Sequence, residues 1–465
     1  MSGLSGATTG RRVPPFAGTG NLIYRSEVVP RFVGGSGCFL TADDGRRFLD
    51  AEAANGTVAW GYDSSLLREA ARRCLELPAL PSFCESPLRL RVLERLERLF
   101  SEVLGIPGRV ELDLGGAQGM ETALRIAFSN NGPGTVVVFE GAFHGRSGVT
   151  SMLSSSPRYR ELLAAWGMEV VRLPSPDCRT CPHAAAMLAA TGGPTAACDT
   201  GCVSAVSRWG SELSGVGGKG FGRKVSAFVF ESVQNVGGMV VPDPALLRAA
   251  VDHARSQGAV VIADEIFTGM HRVGPRWGFQ LTGVEPDVVV TSKGLSNGGA
   301  ALSAVWAREP LADADHYPPG SHSSTYVGIP HALAMVETVL DRWAAWQNVE
   351  ADVAALERGM HGRLVELARR WTSVVDRVDA TGGTARIVLS GPYAPRLRQL
   401  CTTVHPDLGV LVASTGMAPD VINIHPPLVI TDGELDQLAE VLDLALRVLT
   451  EETEAAAAAR GPARD

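Results

Sequence analysis

Short apolar runs, each closed by a polar turn and followed by residues at helical spacing, recur through the middle of the chain. Val110-Glu111-Leu112-Asp113-Leu114 leads through Gly115-Gly116-Ala117-Gln118-Gly119 into a helical stretch from Met120 to Ser129. Thr135 to Phe139, Glu169 to Leu173, Val225 to Phe230, Ala259 to Asp264, Pro286 to Ser292 and Ala300 to Ala307 read as further strands. Most of these runs do not alternate between apolar and polar residues, which is the pattern of strands covered on both faces. Strands alternating with helical segments predict an α/β fold, a large domain with a mainly parallel sheet flanked by helices.

The two ends carry a different pattern. Cys38 to Thr41, the turn Asp43-Asp44-Gly45-Arg46, and Phe48-Leu49-Asp50 read as short strands around a hairpin turn. Residues 65–76 and 88–103 carry helical spacing, the second with Leu90, Leu93, Leu96, Leu99 and Val103 on one stripe. Beyond Ser321, one long helical region runs from Pro330 to about Trp371. Short strands follow at Arg386 to Leu389 and Val421 to His425, then an amphipathic helix from Gly433 to Leu449. These segments predict a smaller α+β domain built from the C-terminal part and joined by the N-terminal strands. The expected divisions are a mobile 1–20, an N-terminal segment 21–85, a large domain 86–329 with an insertion at 174–222, a C-terminal part 330–450, and a tail 451–465.

Composition narrows the function classes. Of 465 residues, 45% are hydrophobic and 20% charged, and the net charge is -8. Those values suit a globular protein and disfavour nucleic-acid binding driven by phosphate contacts. No run of 18 apolar residues predicts a membrane span, and the first 20 residues lack a signal-peptide pattern. The eight cysteines are therefore expected to be reduced thiols in a cytoplasmic protein. Four of them, Cys178-x2-Cys181-x16-Cys198-x3-Cys202, form two close pairs, which suits structural zinc or an iron–sulfur cluster as well as free thiols.

Two strands carry the candidate chemistry. Ala259-Val260-Val261-Ile262-Ala263 ends at Asp264, and Val288-Val289-Val290-Thr291-Ser292 ends at Lys293. Ligands of open parallel sheets sit beyond the carboxyl ends of the strands, so both residues are expected at one crevice. An amine and a carboxylate meeting there is what pyridoxal phosphate chemistry requires: the lysine forms an imine with the cofactor aldehyde, and the aspartate keeps the pyridine nitrogen protonated. The glycine-rich loop at Gly115–Gly119 opens a helix and could hold a phosphate or be a plain tight turn. Phe143-His144-Gly145 places an aromatic and an imidazole after a strand. Glu231-Ser232-Val233-Gln234 places a carboxylate and an amide after another, and Ser321 to Gly328 is a hydroxyl-rich loop.

Taken in order, these pieces resemble the class III (ω-) aminotransferases, a group of fold type I pyridoxal phosphate enzymes, over roughly residues 25 to 450. Asp264-Glu265-Ile266-Phe267-Thr268-Gly269 is similar to the family's Asp-Glu-Val-Gln-Thr-Gly. Pro286-Asp287 to Lys293-Gly294 resembles its lysine segment, Ser324-Thr325-Tyr326-Val327-Gly328-Ile329-Pro330 its Thr-Phe-x-Gly-Asn-Pro loop, and Pro426-Pro427-Leu428 with Ile430-Thr431 its C-terminal signature. The resemblance implies that Lys293 carries the Schiff base and moves the proton, and that Asp264 pairs with the pyridine nitrogen. It places the cofactor ring between Ile266 and Phe143, with His144 and Glu231 beside the site and Gln234 near the phenolic oxygen. Gly116, Ala117 and Gln118 would hold the phosphate. It also implies a homodimer in which Thr325 reaches the phosphate of the neighbouring subunit.

Three departures bear on the reaction. Ala117 stands where the family has a hydroxyl in its phosphate loop, and Ser232 stands where it has proline. The C-terminal Arg-Gly-x-Gly, whose arginine grips a substrate carboxylate, is replaced by Val378-Asp379-Ala380-Thr381-Gly382-Gly383. Arg386 lies six residues past Ala380, a shift that a single strand does not absorb. The expected activity is transfer of an amino group from an amine or amino acid. The alternatives are a racemase or epimerase, a decarboxylase or an aminomutase on the same fold, and a scaffold that has lost chemistry.

Overall fold

The computed structural model describes residues 30–460, apart from 82, 162–166, 174 and 177–223. The segment 1–20 and Cys178, Cys181, Cys198 and Cys202, with the metal expectation that rests on them, lie outside the described residues.

A seven-stranded sheet organises the molecule. Its order is Gly108–Asp113, Ser303–Arg308, Val288–Thr291, Val260–Asp264, Val225–Glu231, Thr135–Phe139, Val170–Leu173. Ser303–Arg308 runs antiparallel to both neighbours, and every other pairing is parallel. Thr135–Phe139, Val260–Asp264 and Val288–Thr291 are buried at every position. The reason is that alternate residues enter two separate cores. Val136, Val138, Val260, Ile262, Val288 and Val290 pack with Met120, Ala123 and Ile126 of helix Gly116–Asn131. Val137, Phe139, Val261, Ala263 and Val289 face the other core with Phe100 and Trp277. A strand with both faces covered has no use for polar positions, hence the unbroken apolar runs.

Helix Pro87–Leu104 buries Leu88, Val92, Leu96 and Phe100, a stripe rotated from the expected one, and leaves Leu90 53% exposed. Two things set the rotation. Phe100 stacks on Trp277 with ring centroids 4.4 Å apart, and Arg91 and Arg95 on the flank reach Glu337 and Asp341. The long helical region beyond Pro330 divides into Pro330–Ala345 and Val349–Arg370. Trp346 leaves helical geometry between them, stacks on Trp343 and packs against Trp60.

The remaining strands form two four-stranded sheets. One is antiparallel: Val375–Thr381, Thr384–Leu389, Ala418–Ile424 and Ala413–Thr415. The other joins Phe32–Ser36, Phe39–Ala42 and Arg47–Asp50 to Leu408–Leu411 from the far end of the chain. Helix Asp432–Arg460 buries Leu435, Leu438, Val441, Leu442 and Ala445, the predicted face. Among the described residues no helix is long and apolar enough to cross a membrane.

Candidate active site

Strand register places the key side chains. Glu231 and Asp264 are the last residues of adjacent parallel strands and stand opposite each other, so both carboxylates emerge at one end of the sheet. Lys293 follows the next strand in a short 3-10 turn, with φ 39. A left-handed backbone at a lysine is strained and persists only where its surroundings fix it. These residues border a cavity of about 520 Å³, lined also by Gly116, Ala117, Phe143, His144, Ile266 and Phe267.

The charges in this cavity are tightly coupled. Asp264 Oδ2 lies 2.8 Å from His144 Nδ1, and Asp264 Oδ1 accepts the Ile266 N–H at 3.1 Å. Burial works against a charged His144, but the hydrogen bond and charge of Asp264 outweigh it and raise the imidazole pKa. Glu231 accepts the Phe143 N–H at 2.9 Å. Burial pushes Glu231 up to about 7; His144 pulls it down and Asp264 adds to the rise. Burial likewise pushes Lys293 down to about 8, opposed by Asp264 and Glu231 and assisted by Arg272 and Arg146. The Lys293 ammonium position lies 5.0 Å from the centre of the Phe267 ring. A lysine near neutrality that faces a carboxylate is a nucleophile and a proton carrier in one group.

Next to Asp264, Glu265 is buried and accepts from Ser232 Oγ, Thr268 Oγ1, Gly278 N and Phe279 N. It ties the segment after Asp264 to the loop that carries Trp277.

The other sequence candidates divide. Gly116, Ala117, Phe143, His144, Glu231, Asp264, Ile266 and Lys293 surround the one cavity. Gln118, in the first turn of helix Gly116–Asn131, is absent from its lining. Gln234 also stands outside the lining: its Nε2 donates to Glu140 O at 3.1 Å, and its backbone bridges to Val240. Thr325 is exposed on the 321–328 loop and does not reach the cavity of its own chain.

Several lining residues had no counterpart among the candidates, among them Asn55, Arg146, Ser147, Asn235, Phe267 and Ser292. Arg146 follows Phe143-His144-Gly145 directly, and Phe267 follows Ile266, so adjacency to a motif was the available signal. Asn55 had none. A second cavity of about 660 Å³ shares Asn55, Phe143, Arg146, Asn235 and Val236 with the first and extends to Glu52, Tyr159, Met417 and His425. Arg146 is exposed, sits 5.3 Å from the Phe143 ring centre and 5.7 Å from that of Tyr159, and forms no ion pair with a described carboxylate. Arg386 stands opposite Asp379, because Val375–Thr381 and Thr384–Leu389 fold back as a hairpin. A hairpin thus closes a gap that one strand could not. Arg386 nonetheless bonds Asp379 Oδ2 at 2.7 Å and Gly238 O at 3.0 Å, and it lines neither cavity.

The inner cavity suits a planar, phosphorylated ring. A side chain at Gly116 would come within 2.9 Å of Ile266, so the bare backbone there keeps the helix start open. The first N–H groups of a 16-residue helix begin at that point, favourable for an anion. Asp264 and the partnerless, buried His144 Nε2 add polar groups in the enclosed wall.

Comparisons with known proteins bear on the family and the fold. The class-III aminotransferase family model matches residues 25–446. The 4-aminobutyrate aminotransferase of Mycobacterium tuberculosis is 30% identical over 447 residues, covering 91% of this chain and 92% of that protein. The diaminobutyrate--2-oxoglutarate aminotransferase of Rhizobium meliloti is 26% identical over 438 residues, covering 89% and 87%. A thermostable (S)-enantioselective omega-transaminase from Thermomicrobium roseum has a similar structure, with a TM-score of 0.78 at 27% identity and coverage of 94% and 96%.

Proposed function

Because the chain belongs to the class III aminotransferases, enzymes that use pyridoxal phosphate to move an amino group, we propose that Lys293 and Asp264 are its catalytic pair. The observation that carries this reading is Lys293 itself: an amine lowered to about 8 in a cavity it shares with Asp264, Glu231 and His144. Bound there, pyridoxal phosphate supplies an electrophilic carbon and an electron-withdrawing ring. Lys293 would be the residue that holds the group and, once free, its Nζ the amine positioned to carry a proton beside it. Asp264, oriented by His144 and by the Ile266 N–H, faces the ring nitrogen and favours its protonated form. Ile266 and Phe143 exclude water from the two ring faces. Gly116, Ala117 and Gln118 receive the phosphate through backbone N–H groups, which compensates for the missing hydroxyl at Ala117.

Arg146 is a cation available to a substrate carboxylate, since it lines both cavities and pairs with no described acid; Arg158 lines the outer cavity as well. The reading includes a homodimer in which the Ser324-Thr325 loop of a second copy completes the phosphate end, because that loop is exposed and does not reach its own cavity. Metal analysis of wild type and Cys178→Ser would decide between structural zinc or an iron–sulfur cluster and free thiols at Cys178, Cys181, Cys198 and Cys202.

The test of the catalytic pair is spectroscopic. Protein supplied with pyridoxal phosphate is expected to show a visible band that borohydride removes, and an amino donor alone is expected to convert it to the amine form. Lys293→Ala should lack the reducible band. A variant that kept it, or a wild-type protein that exchanged deuterium at Cα or released CO₂ without reaching the amine form, would refute the reading.

A further inference from the structure

Lys293 ends in an amine without a polar contact. Among the described residues its Nζ makes no hydrogen bond and no ion pair, although it borders the inner cavity. Asp264 and Glu231 act on it as charges at a distance, which favour its protonated form. What does stand against the amine is an aromatic face: Nζ lies over the Phe267 ring, 5.0 Å from its centre. A ring face is the negative pole of the aromatic quadrupole, so it attracts an ammonium, most strongly where water is excluded. In the segment Asp264-Glu265-Ile266-Phe267-Thr268-Gly269, Phe267 takes the place of a glutamine in the family's motif. An apolar face thus stands where that motif has a hydrogen-bonding amide.

The ring is itself held from several directions. Phe267 is buried and packs with Val233, Met239 and Val273. His425 meets it edge-on, with ring centres 5.3 Å apart and planes at 81°. Gly56 lies against it as well: a Cβ there would fall 2.6 Å from Phe267 Cε2, so only glycine lets the backbone come this near. Gly56 has φ 78 and ends a strained turn in which Ala53, Ala54 and Asn55 have φ of 46, 48 and 62, the left-handed region that side chains disfavour. Consecutive strain of this kind survives only when other groups over-determine it. Asp50 supplies that restraint. Its Oδ1 accepts the N–H groups of Glu52 and Ala53, both at 2.9 Å, and its Oδ2 accepts Ala54 N–H at 3.1 Å and the Tyr62 hydroxyl at 2.5 Å. His425 N donates to Ala51 O at 2.8 Å, so the turn and the imidazole approach Phe267 as one unit.

We propose that Phe267 is a positioning residue for Lys293: its ring face holds Nζ in the inner cavity whenever the amine is unbonded, and the turn held by Asp50 keeps the ring in place. The inference rests on the reading of Lys293 as the catalytic amine. Lysine carries its charge on a flexible four-carbon stem, so an amine with no polar contact needs some other restraint to stay in one position. A ring face supplies it without occupying the nitrogen lone pair and without a hydrogen bond that must break before the amine reacts. The charged and titratable groups that act on Lys293 are Asp264 and Glu231, which favour the ammonium, and Arg272 and Arg146, which oppose it; Glu52 and His425 feel its charge in turn. A substitution at Phe267 alters none of those groups. Because the face favours the ammonium, weakening it makes Lys293 lose its proton at lower pH.

The chain has only three lysines, Lys219, Lys224 and Lys293, which makes this amine measurable by itself. Full-length protein freed of cofactor is labelled with trace acetic anhydride over a pH series, and acetylation of the Lys293 peptide is followed by mass spectrometry. Phe267 is replaced in turn by mono-, di- and trifluorinated phenylalanine. These rings keep the shape that packs against Gly56 and progressively weaken the negative face. The labelling midpoint of Lys293 is expected to move to lower pH with each fluorine, by about half a pH unit at the end of the series. On the holoenzyme, the donor half-reaction should slow along the same series, by about twofold to fivefold. A ring that serves packing alone predicts no movement in either measurement. A midpoint that stays in place or rises, or a half-reaction rate that ignores the fluorines, would overturn the proposal while the borohydride-reducible band of wild type still upholds Lys293 as the catalytic amine. If wild type forms no such band, the reading of Lys293 falls and this inference falls with it.

Discussion

The inner and outer cavities share a wall but are built in opposite ways. Asp264, Glu231 and Lys293 of the inner cavity stand at the ends of strands whose register fixes their relative positions. Strands with both faces packed have little freedom to shift. The outer cavity is assembled from Glu52 and Asn55 on a strained turn, Tyr159 in the short helix Pro157–Arg160, and Met417 and His425 at either end of strand Ala418–Ile424. On the proposed reading, the bond-making groups sit on the rigid sheet, and the outer cavity lies where several short segments meet. A comparison of that kind can be broken by a substitution in the inner cavity that spares chemistry, or by one in the outer cavity that abolishes it.

The largest effect should come from Asp264→Asn. The amide can still accept from Ile266 N–H, so the fold should hold, but His144 loses its charged partner and the ring nitrogen loses the group that keeps it protonated. The half-reaction rate is expected to fall by roughly 100-fold or more, the scale of removing one preorganised electrostatic group. Single-turnover kinetics with a fixed donor measures it, with circular dichroism as the folding control. A loss of only a few-fold would mean that the sheet end is not where the chemistry is held.

The next effect concerns Lys293 before cofactor binds. Burial lowers its pKa, so deprotonation to the reactive amine occurs at lower pH than for an exposed lysine. With a value of about 8, roughly a tenth of the amine is neutral at pH 7. A lysine near 10.4 would offer about 200-fold less. The rate at which cofactor-free protein acquires the reducible band should therefore rise about tenfold from pH 7 and level off above pH 8. Continued increase toward pH 10 would place Lys293 in a wetter setting than the cavity implies.

Legibility in the sequence follows the same division. Val260–Asp264 and Val288–Thr291 could be read because unbroken apolar runs have one physical explanation, and their final residues then fall at the crevice. Gly116 and Phe143 could be read because each follows closely on a strand end. The stripe on helix Pro87–Leu104 could not be placed, since Leu90 and Leu88 are equally apolar and only Trp277, far along the chain, selects the face holding Phe100. Leu408–Leu411 and Val375–Thr381 lacked a local signal, the first because its partner is Arg47–Asp50 at the other end of the chain. Glu52 was invisible for a related reason. Its place at the outer cavity goes with the left-handed backbone that follows it and is held by Asp50, and Ala53-Ala54-Asn55 carries no sequence mark of that conformation.

That last point yields the smallest and most direct test of the turn. Ala54 is exposed, has φ 48, and contributes only its N–H to Asp50. Replacing it with glycine has two opposed consequences. The left-handed conformation costs a residue with a Cβ roughly 1–2 kcal/mol, which glycine avoids. Glycine also widens the conformational freedom of the unfolded chain, which costs about 0.4–1 kcal/mol. The first term is larger, so Ala54→Gly is expected to stabilise the protein by about 0.5–1 kcal/mol in denaturant unfolding, against the usual direction for this substitution. A destabilised Ala54→Gly would show that the turn bears no strain.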